Sequence, residues 1–85
     1  MDAYALVLSE PAAMMLATAT RAEQRRLAVI LDQMKADPFR QGDLRESDAQ
    51  GRINEIIVAD EWIVTYWPDH AVRELRIMRL EQVED

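Results

Sequence analysis

Three short apolar runs in close succession constrain this chain more than any other feature. Between Gly51 and Leu80 it reads GRINEIIVADEWIVTYWPDHAVRELRIMRL. Each run is rich in Ile, Val, Trp or Tyr, residues that fit a pleated, half-buried surface. Ala59-Asp60-Glu61 and Pro68-Asp69-His70-Ala71 separate them, and segments so short and polar permit only chain reversal. The spacing predicts an antiparallel meander of three strands, near Ile53–Val58, Trp62–Trp67 and Val72–Leu80.

The first half follows a different period. Ala3–Leu8 alternates weakly and reads as an opening strand. Ser9-Glu10-Pro11 has the chemistry of a helix start, a capping hydroxyl followed by an acid and a proline in the first turn. A first helix is expected from about Glu10 to Ala19. Thr20 with Glu23 three residues later makes a capping box, so a second helix begins there. Leu27, Ile30, Leu31 and Met34 recur at i, i+3, i+4 and i+7, which is one apolar stripe at helical period. Asp37-Pro38 ends it, because a residue before proline avoids the helical region. The polar stretch that follows, with Gly42, should be a loop holding a short edge strand around Leu44. The acidic tail from Glu81 to Asp85 is expected to fray. The reading is β-α-α-β-β-β(-β), an α+β fold with a helix hairpin packed on a small antiparallel sheet.

Composition bounds the functions open to such a fold. Eighty-five residues make a single domain, with 49% hydrophobic and 31% charged residues, as in ordinary globular proteins. No apolar run approaches the ~20 residues that span a bilayer, and MDAYALVLSE lacks the basic opening of a signal peptide. The expectation is a cytoplasmic protein with no membrane partner. The chain has no cysteine and one histidine, which excludes disulfides, thiolate metal sites and multi-histidine zinc sites. No metal or other cofactor is expected. The net charge of −6 opposes approach to nucleic acid, whose affinity comes largely from neutralised phosphates, and favours a basic or apolar partner.

Few residues suggest chemistry. Ser9 and Ser47 lie in no nucleophile elbow, and Gly42 and Gly51 make no phosphate loop. His70 lies in a turn beside Asp69 and reads as an exposed hairpin residue. Strand alternation places Trp62 and Tyr66 on one face and Trp67 on the other. One set should anchor the core, leaving the other to meet a partner. By the same alternation Arg73 and Arg79 share a face and Arg76 takes the opposite one. With Arg45 and Arg52 they either form a basic patch or pair across strands with Glu55, Glu74 and Glu81.

The order of strand, helix hairpin and meander in one short chain resembles the RelE/ParE toxin superfamily of bacterial type II toxin–antitoxin systems. Ala36-Asp37-Pro38, Gly42-Asp43-Leu44, Gly51-Arg52 and Asp60-Glu61-Trp62-Ile63-Val64-Thr65-Tyr66 are most similar to the YafQ-like branch. The resemblance covers nearly all of residues 1–85, a single toxin-like domain. It implies a bacterial protein that binds a cognate antitoxin. One class of the family also cleaves mRNA on the ribosome; the ParE class inhibits DNA gyrase.

The resemblance carries over Glu61, Trp62 and Tyr66. Ile57 stands where the YafQ-like pattern has a histidine, Ile63 where RelE has an arginine, and Met78-Arg79-Leu80-Glu81 replaces a Gly-Thr-His-Ser-type ending. Arginines can stabilise transition-state charge in their place but do not deprotonate at neutral pH. The expected catalytic groups are therefore Arg52, Glu61 and Arg79, and the expected binding groups Arg45, Trp62, Tyr66, Trp67 and Arg76. The losses leave open a toxin-like antitoxin binder with or without endoribonuclease (mRNA interferase) activity, a catalytically silent regulatory module on the same fold, or a gyrase inhibitor.

Overall fold

A computed structural model describes residues 3–83 of the chain. The order is β1 (Ala5–Leu8), α1 (Glu10–Thr18), α2 (Arg21–Ala36), β2 (Leu44–Ser47), β3 (Ile53–Ala59), β4 (Trp62–Asp69) and β5 (Glu74–Gln82). This is a small α+β fold with two helices on one face of a five-stranded sheet ordered β1-β5-β4-β3-β2.

Local chemistry sets the helix ends as expected. The Ser9 hydroxyl accepts from the Ala12 N–H at 3.2 Å and donates to the Met78 carbonyl at 2.7 Å, tying the start of α1 to β5. At α2 the Glu23 N–H donates to the Thr20 hydroxyl, and the Thr20 N–H returns a bond to the Glu23 carboxylate at 2.8 Å. That bond holds the Glu23 carboxyl below its usual range. Helix α2 stops at Ala36, ahead of Pro38. Leu27, Ile30, Leu31 and Met34 are buried against Ile57, Trp62, Val64, Tyr66, Leu75, Ile77 and Leu80.

The sheet is mixed rather than wholly antiparallel. Strands β2 to β5 form the antiparallel meander, but β1 runs parallel to β5, with Leu6 beside Leu75 and Leu8 beside Ile77. The sense of a hairpin partner is fixed by its turn, whereas β1 and β5 are separated by most of the chain. Ala5 N–H to Arg73 C=O and Ser9 N–H to Ile77 C=O complete their ladder.

A bulge in β5 overturns the expected arginine placement. Tyr66 pairs with Ile77, yet the preceding Thr65 pairs with Arg79, so Met78 is an extra residue. An extra residue reverses the side-chain phase beyond it. Leu75, Ile77 and Leu80 therefore all reach the core, and Arg76 and Arg79 project from the same outward face. Arg73 is not on the strand. It lies in the β4–β5 turn with φ 53°. The tail also differs: Glu81 and Gln82 extend β5, Val83 N–H bonds the Glu61 carbonyl, and Glu84 and Asp85 lie outside the described residues.

One glycine is required by close approach. A Cβ on Gly42 would stand 2.7 Å from the Ile56 carbonyl oxygen, so only glycine lets the chain enter β2 this near β3.

Candidate functional site

The two faces of the sheet have different cover. The helices lie over one, and the other carries no helix or strand among the described residues. By register that outward face presents Leu44 and Glu46 from β2, Asn54, Ile56 and Val58 from β3, Ile63, Thr65 and Trp67 from β4, and Arg76 and Arg79 from β5.

Trp67 is its centre. The Arg52 guanidinium lies over the indole at 4.2 Å from the ring centroid and Arg76 stands at 5.9 Å, both within cation–π range. Alternation therefore sorts the aromatics of β4 as expected. Trp67 is outward and half-buried, while Trp62 and Tyr66 are core residues, with Trp62 only 1% exposed. Those two expected binding residues are unavailable to a partner. The Tyr66 hydroxyl donates to the Arg40 carbonyl, and burial, reinforced by Glu55, pushes its pKa up to about 12. It stays protonated and unsuited to act as a base.

Arg45, Arg76 and Arg79 pair with carboxylates, across strands for Glu55 as expected but along β5 itself for Glu74 and Glu81. Arg45 binds Glu55 at 2.9 Å at the β2–β3 edge, turned away from the outward face. Arg76 binds Glu74 at 2.8 Å with Asp69 at 4.0 Å, and Arg79 binds both Glu46 and Glu81 at 3.0 Å. Burial opposes charge on Arg79, but the hydrogen bond to Glu81 and the field of Glu46 outweigh it and raise its pKa. Four carboxylates thus answer Arg76 and Arg79 on the outward face, which is not a basic patch.

The expected catalytic groups are not brought together. Arg52 precedes β3 and Glu61 follows it. The seven residues between their ends span about 23 Å in an extended strand. Glu61 is engaged by Arg26 of α2. Arg79 lies mid-sheet opposite Thr65. His70 is exposed, but its ring stacks on Phe39 at 4.4 Å and its Nδ1 meets the Tyr4 hydroxyl at 2.6 Å. That cluster braces the loop after α2 against the β4–β5 turn. Among the described residues no group of three or more His, Asp or Glu side chains could hold a metal ion, and no helix is long and apolar enough to cross a membrane.

Two residues of this face escaped the sequence reading. Thr65 is buried with its hydroxyl 3.4 Å from Arg79. Asn54 is 4% exposed, and its side-chain oxygen is buried without a hydrogen-bond partner. Their one sequence signal is a polar residue inside an apolar strand, which does not reveal burial beneath longer neighbours. Comparison with protein families, characterised proteins and solved structures finds no match to this chain.

Proposed function

We propose that this protein is the toxin-fold component of a type II toxin–antitoxin pair and acts by binding its antitoxin, without cutting RNA. The observation that carries the binding half is Trp67, held between Arg52 and Arg76 on a sheet face that no helix or strand among the described residues covers. Tryptophan and arginine dominate interface hot spots. The neighbouring Leu44, Ile56, Val58 and Ile63 supply apolar surface around them. The toxin–antitoxin setting rests on the resemblance carried by Gly51-Arg52 and Asp60 through Tyr66.

Endonuclease action is disfavoured by the same geometry. The outward arginines already hold carboxylates, Tyr66 keeps its proton, and Glu61 stands a strand's length from Arg52. An antitoxin segment should be apolar or basic, since like charge opposes association with a chain of net charge −6. Titration calorimetry with the product of the adjacent reading frame tests the proposal. Saturable binding that Trp67→Ala abolishes is expected, together with no codon-specific cuts in primer extension on translated mRNA. No binding, binding indifferent to Trp67→Ala, or cuts lost in Arg52→Ala or Arg79→Ala would each overturn it.

A further inference from the structure

Of Arg45, Arg52, Arg76 and Arg79, one has no acid of its own among the described residues. Arg45 holds Glu55, Arg76 holds Glu74 and Asp69, and Arg79 holds Glu46 and Glu81. Arg52 is exposed, and no carboxylate among the described residues pairs with its guanidinium. Its contact is the Trp67 ring, 4.2 Å away. The acid nearest in sequence, Asp48, is occupied by the backbone. Its Oδ1 accepts from the N–H groups of Gln50 at 3.0 Å and Arg52 at 2.9 Å.

The backbone beneath Arg52 is fixed by the same loop. The Asp48 N–H donates to the Arg52 carbonyl at 2.9 Å, and the Gly51 N–H to the Asp48 carbonyl at 3.0 Å. Gly51 turns the chain with φ 80°, a conformation that favours glycine. Arg52 therefore leaves the β2–β3 hairpin in a set direction, and Trp67 of β4 supplies the ledge for its guanidinium. Arginine stacks on an aromatic face while its planar N–H fork takes a carboxylate through two bonds.

We infer that Arg52, on its Trp67 ledge, receives one carboxylate side chain of the partner polypeptide, an inference that rests on the antitoxin reading above. A segment that covers Trp67 takes Arg52 out of water. A cation desolvated without a counter-charge is strongly destabilising, and the acids of this face already hold other arginines. The partner therefore brings the acid, and one unanswered cation calls for one carboxylate. A nucleic acid is a poorer occupant. Asp69, Glu74, Glu46 and Glu81 share the face, and the net charge of −6 repels a polyanion. Beside the acid the segment is apolar. Leu44 and Ile56 form the next outward row, about 7 Å along the strands from that of Trp67. A segment apolar or basic in the mean thus carries a single acid, seated against Trp67.

Two measurements test this. The first is calorimetry with the product of the adjacent reading frame, each of its acidic residues replaced in turn by Asn or Gln. One replacement should weaken binding at least about tenfold, yet change nothing further against Arg52→Gln. Arg52→Lys keeps the charge but loses the fork, and should also bind about tenfold more weakly. Binding that Trp67→Ala abolishes, with no acid coupled to Arg52, would overturn the inference and leave the antitoxin reading standing. No binding at all would remove that reading, and the second measurement then decides alone. Proton–nitrogen spectra follow the Trp67 indole N–H during titration with the blocked dipeptides acetyl-Leu-Glu-amide and acetyl-Leu-Gln-amide. The glutamate peptide should shift this signal, the glutamine peptide should not, and Arg52→Gln should abolish the response. The Trp62 indole N–H, on the helix side, should stay in place. No response, an equal response to both peptides, or one that survives Arg52→Gln would overturn the inference. So would a stronger response to a single-stranded uridine oligonucleotide, which would assign the cation to phosphate.

Discussion

Trp62 and Trp67 lie five residues apart on one strand and have opposite fates. Trp62 packs under the helices with Val64 and Tyr66. Trp67 stands on the uncovered face between two arginines. The helix-side face is apolar at its centre, where the helices cover it. The outward face mixes a tryptophan, arginines, carboxylates and aliphatic side chains, and leaves Leu44 and Val58 exposed. Burial of apolar area makes the first face responsible for stability. Polar pairs at a half-wet surface contribute little to folding, which leaves the second face free to serve recognition.

Substituting the two tryptophans should break this comparison most visibly. Trp62→Ala empties a fully packed site and should cost about 3–5 kcal/mol in urea unfolding, and Leu31→Ala on the facing helix about 2–5 kcal/mol. An equal loss for Trp67→Ala would erase the distinction between the faces. Trp67→Ala should instead change folding stability by about 1 kcal/mol or less, while removing more than about 2 kcal/mol of partner binding. Calorimetry on the folded variant separates the two effects.

A pH titration sharpens the comparison next. Burial raises the Tyr66 pKa from 10.0 to about 12, so the folded state keeps a proton that the unfolded chain releases. The stability this confers is complete below pH 10 and declines as the pH rises from 10 towards 12. Urea midpoints measured across that interval should fall, and Tyr66→Phe should flatten the decline. An unchanged slope in Tyr66→Phe would mean that its hydroxyl is not held in the core.

The smallest effect is expected on the outward face. Arg79 and Glu46 are 3.0 Å apart and both substantially exposed. A double-mutant cycle with alanine should give a coupling of about 0.2–1 kcal/mol, falling as salt is added. A larger, salt-resistant coupling would make this ion pair part of what holds the sheet together.

The sequence by itself determined the elements. Ser9, the Thr20–Glu23 box and Asp37-Pro38 specify where the helices begin and end, and the apolar runs specify the strands though not their ends at Asp69, Glu74 and Gln82, because each acts through neighbours a few residues away. The stripe Leu27–Ile30–Leu31–Met34 identified its own buried face for the same reason. Alternation along β4 likewise assigned Trp67 to the face opposite Trp62. What only the tertiary structure decided depends on partners far along the chain. The parallel docking of β1 on β5 follows no local signal. The Met78 bulge became visible only once β4 was laid beside β5, and it alone puts Arg76 and Arg79 on one face, where strict alternation would separate them. The burial of Asn54 likewise arises from packing across the sheet. A strand's period is a property of its own backbone, but its phase against a neighbour is set by the hydrogen-bond register between two chain segments.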